Sequence, residues 1–478
     1  MNCQILLVNP PYLEKIYGVK RAPAVKPPLG LAYVAAGLEK AGFRVEILDA
    51  NAEFLTIKEA ANKIIQSPAK FIGFTSVTAT FPLVCKLSSL VKSRDRQRFI
   101  LVGGPHVSFM AEEALEECSA IDVVVRGEGE LTACELISNL IKKGSISDVK
   151  GITFRANNLI ISNQDREPIQ DIDSLSFPTR HLLPLSLYSP SSLGNLGFRG
   201  ERYASVITAR GCPNRCVFCS SSSFWRIVRT RSPENVVSEL EFLVNKYKVG
   251  QVDFLDDTLI LSKERMEKIC NLIIEKNLKI KWSCYARVNN ITPELVKLMK
   301  KSGCKFIQFG VESGNQRILD GVQKNITLEQ IRKATKIVKD AGLKLMCDFM
   351  IGLPEDTEET VNQTIKFAKE LSPNFAFFSI TTPFPGTILY EELLKRDWLK
   401  PGYIWQNIQL HERTDFSTPT LSSENLGKLY FKAHRRFYYR FGFFWQTLIW
   451  VLKHPSELKN YFPLIKTQII RELRNVFK

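Results

Sequence analysis

An α/β chain built around two parallel-sheet domains is the fold class this sequence predicts, and three observations carry it. Apolar runs of strand length alternate with helical patterns up to about residue 145, and the alternation resumes at Ser205 and continues to about residue 395. The chain has 478 residues, 45% hydrophobic and 24% charged, enough for two or three folded domains and unlike either a disordered or a multi-span membrane protein.

In the first stretch the strands are Ile5 to Val8, Val45 to Leu48, Phe71 to Thr75, Phe99 to Val102 and Val123 to Val125, with a helix over Leu29 to Ala41 and further helical stretches between them. Strand, helix, strand at this spacing makes a parallel sheet covered on both faces, so residues 1–145 are read as a Rossmann-like doubly wound domain. Ligands of such sheets bind beyond the strand C-termini. Here those ends carry Thr75-Ser76, Gly103-Gly104-Pro105-His106 and Gly127-Glu128-Gly129-Glu130, and the glycines let a ligand come close to the backbone. Residues 146–200 hold a hairpin (Ile152 to Phe154, turn Asn157-Asn158, Ile160 to Ile161) and then a Pro/Ser-rich linker.

Residues 201–395 carry six strands: Ser205 to Thr208, Gln251 to Leu255, Ile280 to Tyr285, Phe306 to Phe309, Leu343 to Ile351 and Phe375 to Ile380. Helical patterns separate them, namely Pro233 to Tyr247, Lys263 to Lys276, Thr292 to Lys301, Leu328 to Ala341 and Glu358 to Leu371. Six units fall short of the eight of a closed barrel, which predicts a partial (β/α)6 TIM barrel with its site again at the strand C-terminal ends.

The remainder, 396–478, is read as a mostly helical, basic and aromatic segment. From Lys428 to Lys478 eleven Lys and Arg face two Glu, a net +9 out of +16 for the chain. Lys432-Ala-His-Arg435-Arg436-Phe-Tyr-Tyr-Arg440-Phe-Gly-Phe-Phe-Trp445 suits a cap packed on the barrel, or a peripheral membrane contact. Its apolar centre, Phe441 to Leu452, is shorter than the ~20 residues a membrane-spanning helix needs. No nucleic-acid-reading module accompanies the basic residues, so nucleic acid is not an expected partner. The N-terminus MNCQILLVNPP lacks a basic region followed by a long apolar stretch, which predicts a cytoplasmic protein.

Eleven cysteines in a reducing compartment point to metal chemistry rather than a disulfide framework. Three are clustered in Cys212-Pro-Asn-Arg-Cys216-Val-Phe-Cys219, directly after the first strand of the second domain. Three thiolates in one loop select zinc or an iron–sulfur cluster. A structural zinc site wants a fourth Cys or His nearby, and Ser220 to Phe224 supply none. The other eight cysteines sit in apolar strand or helix patterns and are read as core.

This loop, with an aromatic before its last cysteine and a partial barrel around it, resembles the radical S-adenosylmethionine (radical SAM) superfamily over roughly residues 200–395. The resemblance implies that Cys212, Cys216 and Cys219 hold a [4Fe-4S] cluster and that SAM chelates its open iron and is cleaved to a 5′-deoxyadenosyl radical. Matching strand ends imply SAM contacts at Phe218, at Asp256 and Asp257 (amino group), at Arg287 in Tyr285-Ala-Arg287 (carboxylate), at Glu312 in Gly310-Val-Glu312-Ser313 (ribose) and at Gly352 in Ile351-Gly352-Leu-Pro354 (adenine).

The N-terminal domain extends the likeness. Asn9-Pro10-Pro11, Pro27-Pro28-Leu29-Gly30-Leu31, Gly103-Gly104-Pro105-His106 and Arg126-Gly127-Glu128-Gly129-Glu130 resemble cobalamin-binding radical SAM enzymes, a group with class B methyltransferases and the anaerobic magnesium-protoporphyrin ester oxidative cyclase. This implies cobalamin contacts at Leu29, Gly30, Thr75, Ser76, Gly103, Gly104, His106, Gly127, Glu128 and Gly129. DxHxxG, which supplies a lower histidine ligand in many corrinoid proteins, is absent, so base-off cobalamin is expected. A nicotinamide cofactor does not fit, because Asn9-Pro-Pro-Tyr12 and not GxGxxG follows the first strand. A domain without cofactor is the other reading.

The expected function is methylation of an unactivated carbon of a small or lipid-like metabolite, with flavodoxin or ferredoxin as electron donor. Oxidative cyclisation or another radical rearrangement without methyl transfer is the alternative within the same class. Outside it stands a non-catalytic redox or cobalamin-responsive binding protein.

Overall fold

The computed structural model describes residues 4–12, 25–142, 144–157, 159–189, 202–399 and 416–440, together with residue 445. Asn158 of the hairpin turn, the linker stretch 190–200 and most of the aromatic segment beyond Arg440 lie outside the described residues.

The first sheet is doubly wound. Strands β1 (Gln4–Asn9), β2 (Arg44–Asp49), β3 (Phe71–Thr75), β4 (Phe99–Gly103) and β5 (Val123–Val125) are parallel in the order β2-β1-β3-β4-β5. This is the flavodoxin-like strand order, whose switch point falls between β1 and β3. The hairpin β6 (Ile152–Ala156) and β7 (Leu159–Ser162) joins it, since β6 pairs antiparallel with β5 and makes a seven-stranded sheet. Alternation within β1 explains the two-sided burial. Ile5 and Leu7 pack under helices Leu29–Lys40 and Gly129–Ile141, while Leu6 and Val8 pack on the opposite face under Ile57–Gln66 and Phe81–Arg94.

The second sheet holds β8 (Arg202–Val206), β11 (Val249–Phe254), β12 (Lys281–Ala286), β13 (Cys304–Glu312), β14 (Lys344–Ile351) and β15 (Phe375–Ile380), parallel and in chain order. It is the expected six-stranded partial barrel. Its helices begin where the sequence supplies caps: Ser232 accepts from the Asn235 N–H, and Thr327 and Thr357 form capping boxes. A short ribbon, β9 (Ala209–Arg210) with β10 (Arg229–Thr230), brackets the cysteine loop.

An open barrel has two exposed edges, and each is covered. Along β15 lies the helix Ser423–Tyr438, with Leu426, Leu429, Tyr430, Ala433 and Phe437 buried. The Tyr438 hydroxyl donates to the Ala376 carbonyl at 2.7 Å and accepts from its N–H at 3.3 Å. The described part of the basic aromatic segment is therefore a cap on the barrel, with Lys432 paired to Glu358 at its rim. No helix among the described residues is long and apolar enough to cross a membrane. Along β8 runs the linker. Arg180, 2% exposed, donates to the Ser205 carbonyl (2.7 Å) and to Glu239 (2.6 Å), and Arg231 reaches the other oxygen of the same carboxylate. Thr179 donates to the Ala32 carbonyl and Tyr188 to Asp49 (2.7 Å), so the same segment is bound to the first domain.

Glu239 is the only anion between two buried guanidinium groups in that triad. Glu239→Gln should lower stability by roughly 3–5 kcal/mol, the cost of stranding a buried charge, read as a lower urea midpoint by circular dichroism. An unchanged midpoint would show that the triad is not desolvated.

Candidate functional site

The C-terminal ends of the two sheets face each other, and the gap between them holds the chemistry-bearing residues. On the first-domain side is a cavity of about 330 Å³, floored by Gly30, Thr75, Gly103, Gly104, Gly127 and Gly129 and roofed from the barrel by Arg210, Phe224 and Trp225. It reaches down between the sheet and the helices Leu29–Lys40 and Gly129–Ile141, past Leu7, Gly73 and Leu101. At Gly104 φ is +110°, and a Cβ would stand 2.4 Å from the Ser76 carbonyl oxygen, so only glycine permits this close approach of the turns that leave β3 and β4.

Not every expected cobalamin contact lines this cavity. Leu29 is buried at the start of its helix, and Ser76 uses its backbone, its N–H donating to the Gly103 carbonyl at 2.8 Å. The His106 ring is buried beside Phe81 (centroids 4.7 Å apart), with Nδ1 3.2 Å from the Thr78 hydroxyl. Burial pushes its pKa down to about 4, which keeps the imidazole neutral. Glu128 lines the cavity but commits its carboxylate elsewhere, to Arg210, to Arg229 at 2.7 Å and to the Ile169 N–H at 2.8 Å. Burial alone would raise this carboxyl, and the two arginines outweigh it and hold the group below its ordinary range.

Arg210 joins the two sides. Its guanidinium pairs with Glu128 and Glu130 of the first domain and lies between the rings of Tyr33 (5.5 Å) and Trp225 (5.4 Å). Two residues later comes Cys212. The Asn214 amide donates to the Cys212 sulfur at 3.4 Å, and Arg287 Nη1 approaches the Cys216 sulfur at 3.9 Å. No three thiol, imidazole or carboxylate groups among the described residues converge as ligands of a single ion. A four-iron cube does not ask for that, because each thiolate takes its own iron. Three thiolates spread along one loop, with N–H donors turned toward two of them, fit such a cluster better than a tetrahedral zinc.

Around the loop stand the other expected residues. Asp256 accepts from the N–H and hydroxyl of Thr208, both at 2.9 Å, leaving Oδ2 buried and unpaired; burial raises its pKa to about 6 against those bonds. Asp257 accepts from Ser221 at 2.5 Å. Arg287 donates through Nη2 to the Lys324 carbonyl, and its Nε is buried without a partner. Glu312 has a left-handed backbone (φ 67°) and meets the Lys324 ammonium at 2.7 Å. Phe218 is half-buried, with that ammonium 5.9 Å from its ring centre. Gly352 (φ +84°) packs on Leu426 of the helix Ser423–Tyr438, which a Cβ would meet at 2.6 Å.

Lys324 is a residue that sequence reasoning missed. It is 7% exposed and is flanked by Gln323 and Asn325, both left-handed at φ 53°. Arg210 and Trp225 were missed likewise. Nothing in the local pattern marks a lysine between two polar residues or an arginine at a strand end, because their partners come from other elements.

Residues 206–368 match the family model of the radical SAM superfamily, and 18–137 match that of the B12 binding domain. The uncharacterised methyltransferase PH0819 of Pyrococcus horikoshii is 37% identical over 444 residues, 91% of this chain and 93% of that protein. The anaerobic magnesium-protoporphyrin IX monomethyl ester cyclase of Cereibacter sphaeroides is 30% identical over 458 residues, 92% and 71% of the two chains. The fold is that of the radical S-adenosylmethionine methyltransferase TsrM from Kitasatospora setae, solved with cobalamin and a [4Fe-4S] cluster bound, at a TM-score of 0.68 and 19% identity over 84% of this chain and 76% of that one. With the cysteine loop on a partial barrel and a glycine-floored cavity facing it, the chain belongs to the radical SAM superfamily, among the enzymes that carry a B12-binding domain ahead of the barrel.

Proposed function

We propose that this enzyme is a cobalamin-dependent radical SAM methyltransferase acting on an unactivated carbon of a small molecule. The observation that carries the reading is the apposition of the glycine-floored cavity and the cysteine loop across one gap, joined by Arg210. Oxidative cyclisation is the second reading, favoured by the cyclase relative at 30% identity. With a cluster and a corrinoid bound, the site supplies reductive cleavage of SAM and a transferable methyl group.

The chain's own residues do the positioning. Cys212, Cys216 and Cys219 hold the cluster. Arg287 offers its unpaired Nε to the SAM carboxylate, a charge-assisted bond whose donor is already desolvated. Asp257, rather than the Thr208-bound Asp256, takes the SAM amino group. Glu312 binds the ribose, Lys324 orients that carboxylate, and Phe218 and Gly352 flank the nucleoside. A corrinoid would rest on Gly30, Thr75, Gly103, Gly104, Gly127 and Gly129, while His106 turns away to Thr78 and Phe81. Flavodoxin or ferredoxin supplies the electron.

Anaerobic reconstitution with hydroxocobalamin, followed by iron and cobalt analysis, tests the reading. About four irons and one cobalt per chain are expected, and with substrate present 5′-deoxyadenosine and a product one methyl heavier should appear together. Deoxyadenosine with a product that has gained no methyl group would assign the reading of oxidative cyclisation or rearrangement. Cys216→Ala should abolish iron loading and SAM cleavage while retaining corrinoid. His106→Ala should leave the visible spectrum of the bound corrinoid unchanged, and a shift of its long-wavelength bands would place the imidazole on cobalt. Lys324→Met should raise the SAM dissociation constant on the order of tenfold, because a hydrogen bond to a charged group is worth roughly 1.5–3 kcal/mol, with Lys324→Arg recovering part of it.

A further inference from the structure

We propose that Asp348, held by Gln308 on the inner wall of the partial barrel, is a specificity-determining residue that selects substrates carrying a protonated nitrogen. This rests on the reading above, in which the gap binds SAM, and names the substrate class for that site. Side chains alternate along the barrel strands. Those turned toward the helices, among them Cys284, Phe309, Phe349 and Phe378, are at most 3% exposed. Those turned inward on the middle strands, Ser283, Tyr285, Gln308, Asp348, Phe377 and Ser379, are only half-buried. In a closed barrel, layers of side chains fill this space. Here the filled layer is the lowest one, where Phe306, Met346 and Phe375 form an apolar cluster of their own toward the N-terminal ends of β13, β14 and β15. Above that floor the strands are open to a small molecule.

Asp348 stands on this wall with its charge unanswered. Gln308 Nε2 donates to one carboxylate oxygen at 2.6 Å, and the other oxygen has no partner. Rotation about the Cβ–Cγ bond, a broad torsion in aspartate, exchanges the two oxygens. Burial, with repulsion from Glu312, outweighs the pull of Gln308 and of Lys324 and pushes the carboxyl up to about 7. The cations nearby are already engaged. Lys324 pairs with Glu312 at 2.7 Å. Lys26 reaches across from the first domain to the Tyr285 hydroxyl at 3.4 Å and lowers the pKa of Asp253, the other inward carboxylate, which also accepts from Tyr203 at 3.0 Å and from Ser283. Lys324 thus answers Glu312 and Lys26 answers Asp253, which leaves Asp348 short of one positive charge.

Its neighbours suit an ammonium ion with an apolar body. In the strand register Asp348 lies opposite Gly310 on one side and Phe377 on the other. Phe377 packs on the apolar floor and adds an aromatic ring beside the carboxylate, an arrangement that favours a cation over a neutral group. Over Gly310 fold the Glu312 carboxylate and the Lys324 ammonium, in the space a side chain would take. A ligand held by Asp348 therefore lies next to the residue assigned to the SAM ribose, as a substrate must.

The probes are phenethylamine, phenethyl alcohol and phenylacetate, alike in their apolar part and differing in charge. Each is titrated calorimetrically at pH 8, where Asp348 is ionised, into the chain reconstituted with iron, hydroxocobalamin and SAM and kept unreduced. Saturable binding of phenethylamine is expected, with the alcohol weaker by about tenfold or more, the scale of one charge-assisted hydrogen bond, and phenylacetate weaker still. Asp348→Asn should remove the preference for the amine, and Asp348→Glu should restore part of it; iron and cobalt contents check that each variant is folded. The wild-type series decides alone should Asp348→Asn fail to load. Equal affinity for amine and alcohol, tighter binding of phenylacetate, which would assign the mouth of the barrel to an anion at Lys26, or no saturable binding of any probe would overturn the inference. So would an undiminished preference in a folded Asp348→Asn. A wild-type chain that loads no iron refutes the reading of the gap itself, whereas one that loads iron and cobalt and cleaves SAM under dithionite, yet does not discriminate the probes, refutes only the role of Asp348.

Discussion

Arg210 is the hinge of the architecture. Its guanidinium is nearly buried, pairs with two carboxylates of the other domain, and is pressed between Tyr33 and Trp225. A buried cation of this kind is stable only with all its partners present, and removal of one costs several kcal/mol. The domains are therefore held in a single register where Arg210, Glu128 and Glu130 meet, and Cys212 lies two residues further on. Cavity and cysteine loop are located by the same side chain, which is the geometry a reaction between two bound cofactors requires.

Within the barrel, backbone strain does comparable work. Glu312, Gln323 and Asn325 all occupy the left-handed region, at roughly 1–2 kcal/mol for a residue with a Cβ, less for asparagine. Their combined effect is to set Lys324 between the Glu312 carboxylate and the Phe218 ring, with its carbonyl facing Arg287. Gly310 completes the arrangement. A Cβ there would stand 2.4 Å from Glu312 Oε1 and 2.9 Å from the Lys324 nitrogen, so a side chain at 310 would evict the ion pair.

Burial governs the electrostatics of the gap. Asp256 is shifted upward by desolvation, His106 downward, and Glu128 is held down only because two arginines outweigh the same effect. Unmet hydrogen-bonding capacity remains at Asp256 Oδ2 and Arg287 Nε, both beside the loop. Buried polar atoms are rarely left so, and in the proposed reading the SAM carboxylate would satisfy the one on Arg287.

By itself the sequence determined the elements and the place of the cysteine loop on the barrel. Strand and helix periodicities are local, so the helices Pro233–Tyr247 and Glu358–Leu371 were legible residue by residue and the strands of both sheets to within a few residues, β8 beginning at Arg202 rather than Ser205 and β13 running on to Glu312, and CxxxCxxC is a local spacing. It also located the glycines of the cavity floor, because a glycine at a strand end is a backbone property. What only the tertiary structure decided was who meets whom: that the hairpin joins the first sheet, that Glu128 spends its carboxylate on Arg210 and Arg229, that His106 turns away from the cavity, that Gly352 packs on Leu426, and that Lys324 enters the site. Each depends on partners from about ten to more than eighty residues distant, and no spacing rule along the chain encodes such a meeting; packing, desolvation and the search for charge partners in three dimensions do.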